Sequence, residues 1–285
     1  MAGPTGAAGH LDDERRHFLR YTRTTAWPML QRHPVSDRLH AELLAQMLVS
    51  TAEEIGTLLR SLEGEARSTA VRLLADDAYR TAVTTLPFQP DERIVGVGDS
   101  ITADRLGWFD LLTASVGLTA AAAGPALVNL GLSGNTTADV LERFDLLEAA
   151  RPSRVLLMLG TNDARAHGRT GGHRMTTPPE TRRNVRALVD LVTRELNASV
   201  TVITPPAVDQ RRIDGFFRDA AVHWQAAAVA EVAEAVREAA PGAVDLHTAT
   251  AHTSDDLLEA DGVHPNRAGQ RFILTRILRH LHTAR

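Results

Sequence analysis

Beyond about residue 90, short apolar runs alternate with longer amphipathic stretches, and this alternation constrains the fold more than any other feature of the sequence. The runs interpreted as strands are at 94–98, 126–132, 154–160, 200–205 and 243–246. Most are rich in Val or Leu without polar alternation, which is typical of strands covered on both faces. The stretches interpreted as helices are at about 105–117, 137–149, 179–197, 214–239 and 266–282. The pattern predicts a parallel five-stranded sheet wrapped by helices.

The first 90 residues follow a different pattern, with apolar residues at helical spacing, as in Leu39, Leu43 and Met47. We expect two or three helices between residues 11 and 86, ended by the segment PFQPDER. The chain is therefore divided into an N-terminal helical extension at residues 1–90 and an α/β domain at residues 91–285. Three roles fit the extension: a packing appendage, a surface that pairs two subunits, or a lid over a ligand pocket.

The composition excludes several chemistries. The chain has no Cys and no Lys, so all 31 basic residues are Arg. Without Cys there is no thiol nucleophile, disulfide or Cys-ligated zinc, and without Lys there is no Schiff base or P-loop lysine. The 35 acidic residues outnumber the basic ones, which argues against a nucleic-acid partner.

The sequence also predicts a cellular location. The first ten residues lack the basic segment and apolar core of a secretory signal. The longest weakly polar stretch, 118–132, is interrupted by Gly124, Pro125 and Asn129, which disqualifies it as a membrane span. We expect a cytoplasmic protein that does not bind a membrane.

Polar motifs follow the predicted strands at the positions where open α/β sheets bind their ligands, beyond the carboxyl ends. The motif GDSIT follows the first strand, SGNT the second and GTND the third, and DGVHPN comes after the last strand. Because the carboxyl ends of parallel strands meet at one edge, we expect these four motifs to lie together.

The motifs contain the parts needed to cleave an acyl ester through a covalent intermediate. Ser100, at a strand-to-helix turn, is the candidate nucleophile. His264 is a candidate base, since imidazole accepts a proton near neutral pH, and Asp261 is placed to orient that imidazole. The backbone N–H groups of Ser100 and Gly134 and the side-chain amide of Asn162 are candidate donors to the developing oxyanion.

Each of these residues also has a purely structural interpretation. Ser100 could cap the following helix, Gly134 could serve a turn, and Asn162 could hydrogen-bond a loop. Asp261 and His264 could belong to a surface turn before the last helix. The combination of all four motifs favours the catalytic interpretation.

The blocks GDSIT, SGNT, GTND and DGVHPN, in this order and with this spacing, closely resemble those of the SGNH hydrolase superfamily, also called GDSL esterases and lipases, and the resemblance covers about residues 93 to 283. The resemblance implies a flavodoxin-like three-layer α/β/α fold and a serine hydrolase that needs no metal or cofactor. Carried over by position, it assigns the nucleophile to Ser100, the oxyanion residues to Gly134 and Asn162, and the other catalytic residues to Asp261 and His264. The 90-residue extension departs from minimal members of the superfamily and leaves the substrate class and the oligomeric state open.

The expected partner is a small-molecule acyl ester, with pairing of two subunits through the N-terminal helices as a further hypothesis. Hydrolysis and acyl transfer to an alcohol or amine share one acyl-serine intermediate, so the sequence does not separate them. A metallophosphoesterase is disfavoured because the only comparable D-x-H, at Asp245 and His247, comes near the end of the chain. A scaffold with a retired site is disfavoured because every catalytic residue is present.

Overall fold

The computed structural model describes residues 4–33, 35–120, 124–169, 172–254 and 256–283, with the backbone alone for residues 4–10. Its strands are β1 (Arg93–Gly98), β2 (Ala126–Asn129), β3 (Arg154–Met158), β4 (Ala166–His167), β5 (His173–Arg174), β6 (Ser199–Ile203) and β7 (Val222–His223). Four of them form a parallel sheet in the order β2-β1-β3-β6. The other three form a small antiparallel sheet in the order β5-β4-β7.

The helices before the sheet are α1 (Pro4–Tyr21), α2 (Pro28–Arg32), α3 (Asp37–Met47), α4 (Ala52–Leu74) and α5 (Asp77–Thr84), with a 3₁₀ turn at Thr24–Ala26. Those that follow β1 are α6 (Ser100–Ala103), α7 (Trp108–Thr119), α8 (Thr137–Glu142), α9 (Phe144–Ala149), α10 (Pro178–Arg194), α11 (Gln210–Phe216), α12 (Ala226–Ala239), α13 (Leu246–Ala251) and α14 (Arg267–Thr283). In the described part of the chain, no helix has both the length and the apolar content needed to cross a membrane.

Helices cover both faces of the parallel sheet, because successive strand residues point to opposite sides. Ile94 and Leu156 face a cluster that contains residues of α4, α7 and α14. Their neighbours Val95 and Val155 face a second cluster, with residues of α8, α9, α10 and α12. The expected α/β architecture with a buried parallel sheet is confirmed.

Gly96 allows α7 to lie close to β1. A Cβ at this position would stand 2.5 Å from Cδ2 of Phe109, whose ring is fully buried against the strand. Only a residue without a side chain leaves room for that ring.

The N-terminal helices share a hydrophobic cluster with the helices of the α/β part. Leu19 of α1, Ile55 and Leu62 of α4, Trp108 of α7 and Leu278 of α14 belong to it, each 1% exposed or less. Helices α1, α3, α4 and α5 therefore pack as part of the layer that covers one face of the sheet, whereas α2 contacts α9.

Several predicted boundaries are wrong. The described N-terminal residues form five α-helices rather than two or three. The helix expected at 137–149 divides at Arg143, whose guanidinium donates to the backbone oxygen of Leu130 at 3.0 Å. The helix expected at 214–239 divides into α11 and α12, because the segment between them contains β7, which pairs with β4.

The fifth strand of the predicted sheet is not confirmed. Among the described residues, the run at 243–246 contributes one parallel bridge, between Val244 and Ile203. The run ends there because the carboxylate of Asp245 accepts the backbone N–H of Thr248 and begins α13.

Candidate active site

Ser100 is the first residue of α6, directly beyond the carboxyl end of β1. The N-cap of this helix is Asp99, whose Oδ1 accepts the backbone N–H of Ile101 at 2.9 Å. Because Asp99 performs the capping, the hydroxyl of Ser100 is free for other contacts. Burial raises the pKa of Asp99 to about 6, although its hydrogen bond to Ile101 acts in the opposite direction.

Ser100, His264 and Asp261 form a continuous chain of hydrogen bonds. Oγ of Ser100 lies 2.9 Å from Nε2 of His264, and Nδ1 of His264 lies 2.6 Å from Oδ2 of Asp261. A carboxylate only accepts, so Nδ1 carries the imidazole proton and Nε2 accepts from the serine hydroxyl. The second oxygen of Asp261 accepts the backbone N–H groups of Val263 and His264, which holds the carboxylate in place.

The hydrogen bond and the negative charge of Asp261 raise the pKa of the His264 imidazole. Burial by itself would lower the pKa of His264, but the hydrogen bond and negative charge of Asp261 more than offset it, so the pKa lies above its usual 6.5. Burial would raise the pKa of Asp261, yet its hydrogen bonds to His264 and Val263 bring that pKa below its usual value.

Gly134 and Asn162 line the same cavity as Ser100. Gly134 has a φ of 88°, in the left-handed region that favours glycine. One N–H of the Asn162 amide donates to the backbone oxygen of Asn135 at 3.2 Å, and its Oδ1 accepts from Arg165 at 3.3 Å. The amide is thus held from both ends on the loop after β3.

Asp163 fastens this loop to two helices. Its buried carboxylate accepts the hydroxyl of Thr137 at 2.5 Å, the backbone N–H of the same residue at 3.0 Å, and the hydroxyl of Thr181 at 2.9 Å. Thr137 begins α8 and Thr181 lies in α10. Asp163 is therefore a structural partner that fixes the position of its neighbour Asn162.

A cavity of about 500 Å³ contains all five residues that the sequence predicted: Ser100, Gly134, Asn162, Asp261 and His264. It opens where β1 and β3 lie side by side, the point at which the order β2-β1-β3 reverses and where doubly wound sheets bind their ligands. The structure brings together every predicted site residue.

The cavity also has walls that the sequence did not predict. The end of α1 contributes His17, Arg20 and Tyr21, and the other walls include Arg165, Phe216, Phe217, Trp224 and Glu259. The ring of Tyr21 lies 5.1 Å from that of His264, centroid to centroid. Tyr21 is more than 70 residues from the nearest motif, so nothing in the local pattern marks it as a site residue.

Metal ligation has no evident place in the described ranges. No group of three or more His, Asp or Glu side chains in them is arranged to hold a metal ion. His167 and His173, at the two ends of the sequence HGRTGGH that follows the motif GTND, pair as neighbouring strand residues of β4 and β5.

A parallel α/β sheet with a hydrogen-bonded Ser, His and Asp beyond its carboxyl edge is an arrangement typical of hydrolases. The chain belongs to the GDSL-like lipase/acylhydrolase family, whose model matches residues 97–272, more than half of its length. The protein is therefore a carboxylic ester hydrolase. The resemblance seen in the four motifs is confirmed. Among curated protein sequences, none matches this chain significantly.

Solved structures with a similar fold include a lipase/acylhydrolase from Enterococcus faecalis, which is 25% identical in sequence with a TM-score of 0.55. The alignment covers 68% of this chain and 96% of the Enterococcus chain. An α/β hydrolase from the metagenome of Lake Arreo is 23% identical with a TM-score of 0.52, covering 67% and 95%. An acetylxylan esterase from Geobacillus stearothermophilus is 22% identical with a TM-score of 0.51, covering 67% and 94%. The last two show the fold alone.

Proposed function

We propose that this esterase hydrolyses its substrate through an acyl-serine intermediate on Ser100, with His264 as the general base and Asp261 as the group that orients it. The observation that carries the proposal is the hydrogen-bond chain of 2.9 Å and 2.6 Å through these three side chains. It has the geometry expected of a nucleophile, its base and an orienting carboxylate.

Acylation begins when Nε2 of His264 takes the hydroxyl proton of Ser100 while Oγ attacks the ester carbonyl. The carbonyl electron pair moves to oxygen, and Asp261 stabilises the imidazolium through Nδ1. When the tetrahedral intermediate collapses, Nε2 returns the proton to the departing alcohol. Water then repeats the sequence on the acyl-serine, releasing the acid and restoring Ser100.

The developing oxyanion needs donors fixed before the reaction. We assign this role to the backbone N–H groups of Ser100 and Gly134 and to the amide of Asn162. The hydrogen bonds that Asn162 forms with Asn135 and Arg165 support the assignment, since they leave one amide N–H for the substrate. Loss of one such donor lowers the rate by about 100- to 1,000-fold.

Acyl transfer would use the same acyl-serine, with an alcohol or amine replacing water in the second half. Hydrolysis is the proposed outcome because ester hydrolysis is the activity of the family. Product analysis with and without added alcohols separates the two: transfer produces a new ester in place of the free acid.

Fluorophosphonate labelling followed by peptide mass spectrometry tests the proposal. We expect one adduct, on Ser100, and at least about a 1,000-fold loss of activity on a short-chain aryl ester in Ser100→Ala. The control is Ser68→Ala, because Ser68 lies exposed on α4 with its hydroxyl bonded to the backbone oxygen of Gly64. An active Ser100→Ala enzyme, or an adduct elsewhere, would overturn the assignment.

A further inference from the structure

Arg165 is a partly buried cation in the wall of the cavity, on the loop that follows β3. Its Nη1 donates to Oδ1 of Asn162 at 3.3 Å, and its Nε donates to Nε2 of His167 at 3.2 Å. Both bonds are long and both acceptors are neutral. Across the ranges that the structure describes, no carboxylate forms an ion pair with this guanidinium.

A guanidinium withdrawn from water without a counter-ion is unfavourable. Burial accordingly lowers the pKa of Arg165, with only partial compensation from the more distant charges of Asp139 and Asp99. Arg20, in the wall of the same cavity, differs because it pairs with both Asp104 and Glu259. Arg165 is thus a cavity cation that no carboxylate of the described residues contacts directly.

The position of Arg165 places it beside the reacting centre. Its Nη1 lies 3.8 Å from the point that a Cβ of residue 134 would occupy, and it contacts Asn162 directly. Both neighbours are among the three oxyanion donors assigned above. The guanidinium has five N–H groups, of which the two observed bonds use two, and its planar edge suits a carboxylate or phosphate.

The acidic side chains of the cavity already have partners. Glu259 pairs with Arg20 at 3.0 Å, and Asp261 pairs with His264 at 2.6 Å. Neither is among the charges that act most strongly on Arg165. An anionic group on the Arg165 side would therefore meet a guanidinium with three unused N–H groups and no carboxylate partner among the described residues.

We propose that Arg165 binds an anionic group, a carboxylate or a phosphate, that the ester substrate carries within a few bonds of its scissile carbonyl. This inference rests on the proposed function, since it places the substrate carbonyl at Gly134 and Asn162. It makes Arg165 a specificity-determining residue that selects anionic over neutral esters.

Matched esters test the inference. For the acyl side, 4-nitrophenyl butyrate is compared with 4-nitrophenyl hemisuccinate; for the alcohol side, ethyl acetate is compared with 2-acetoxyethyl phosphate. A charge-assisted hydrogen bond supports a preference of about tenfold or more in kcat/KM for the anionic member of at least one pair. We expect Arg165→Met to lower kcat/KM for the anionic ester about tenfold more than kcat/KM for the neutral ester, which abolishes the preference, with Arg165→Lys intermediate because it keeps the charge and loses the planar edge.

Arg169→Met is the matched control. Arg169 lies four residues further along the chain, after β4, where it is exposed and donates to the backbone oxygen of Asp219. This variant should keep the wild-type preference.

Two results would overturn the inference: a wild-type enzyme with no preference in either pair, or an Arg165→Met enzyme that loses neutral and anionic esters equally. The second would make Arg165 a positioning residue for Asn162. Ser100→Ala, assayed on the same esters, keeps the two proposals apart. If that variant is inactive while the preference is absent, the anion site alone is wrong.

Discussion

An ion pair joins α1 to the loop after α6, and its removal measures how much the packing of α1 contributes to the free energy of unfolding. Nε and Nη2 of Arg20 each donate to an oxygen of Asp104 at 2.7 Å, and Nη1 donates to Glu259 at 3.0 Å. The side chain of Arg20 is 12% exposed and that of Asp104 is fully buried. The pair is therefore bidentate and largely removed from water.

Arg20→Met removes the cation and leaves the buried carboxylate of Asp104 with two uncharged donors, the backbone N–H of Leu106 and the amide of Gln270. Breaking a buried pair from one side costs about 3–5 kcal/mol of unfolding free energy. For a chain of this size, that loss lowers Tm by about 6–20 °C. The double variant Arg20→Met/Asp104→Asn should recover part of it, because no unpaired buried charge remains.

Urea denaturation and thermal unfolding measure this loss, with Arg32→Met as the control. Arg32 makes a bidentate pair with Asp145 of similar length, 2.8 Å and 2.9 Å, but both side chains are exposed, so its removal should cost little. If Arg20→Met is no less stable than Arg32→Met, or if the double variant is less stable than the single one, the buried pair does not contribute the expected unfolding free energy.

Two further predictions concern the imidazole and the sheet. Because His264 must be neutral to accept a proton and its pKa is raised, kcat/KM should fall as the pH falls, with a midpoint above 6.5. Asp261→Asn should move that midpoint to lower pH and lower kcat/KM by roughly 1,000- to 10,000-fold. A midpoint that does not move would contradict the role of Asp261. Gly96→Ala should lower the unfolding free energy by about 1–3 kcal/mol in urea denaturation, since its methyl group meets the buried ring of Phe109. Gly64→Ala, in the interior of α4 with nothing within 4 Å of the added methyl group, should instead raise it by up to about 1 kcal/mol. Equal stability of the two variants would show that Phe109 moves aside.

The sequence predicted the candidate site best where polar site residues directly follow a buried strand. Ser100 and Asn162 come directly after short apolar runs, and parallel strands bring such positions to one edge. The run at 243–246 was less informative, because a four-residue apolar stretch does not show how many backbone hydrogen bonds it will form. The division between α11 and α12 depends on the pairing of β7 with β4, a contact across more than 50 residues that helical periodicity does not register. The domain boundary near residue 90, the cytoplasmic location and the pairing of two subunits stay predictions.

The end of α1 contributes to the shape of the substrate cavity but supplies no reacting group. The family match begins at residue 97, whereas Tyr21, which packs against the ring of His264, precedes it by 76 residues. Tyr21 is held on two sides: the guanidinium of Arg20 lies 4.9 Å from the centre of its ring, and its backbone oxygen accepts the hydroxyl of Ser133 at 2.6 Å. A wall fixed in this way shapes the space beside the base without supplying a reacting atom. Substitutions at Tyr21 should therefore alter which esters are accepted, measured as kcat/KM over a series of esters, without changing the role proposed for Ser100.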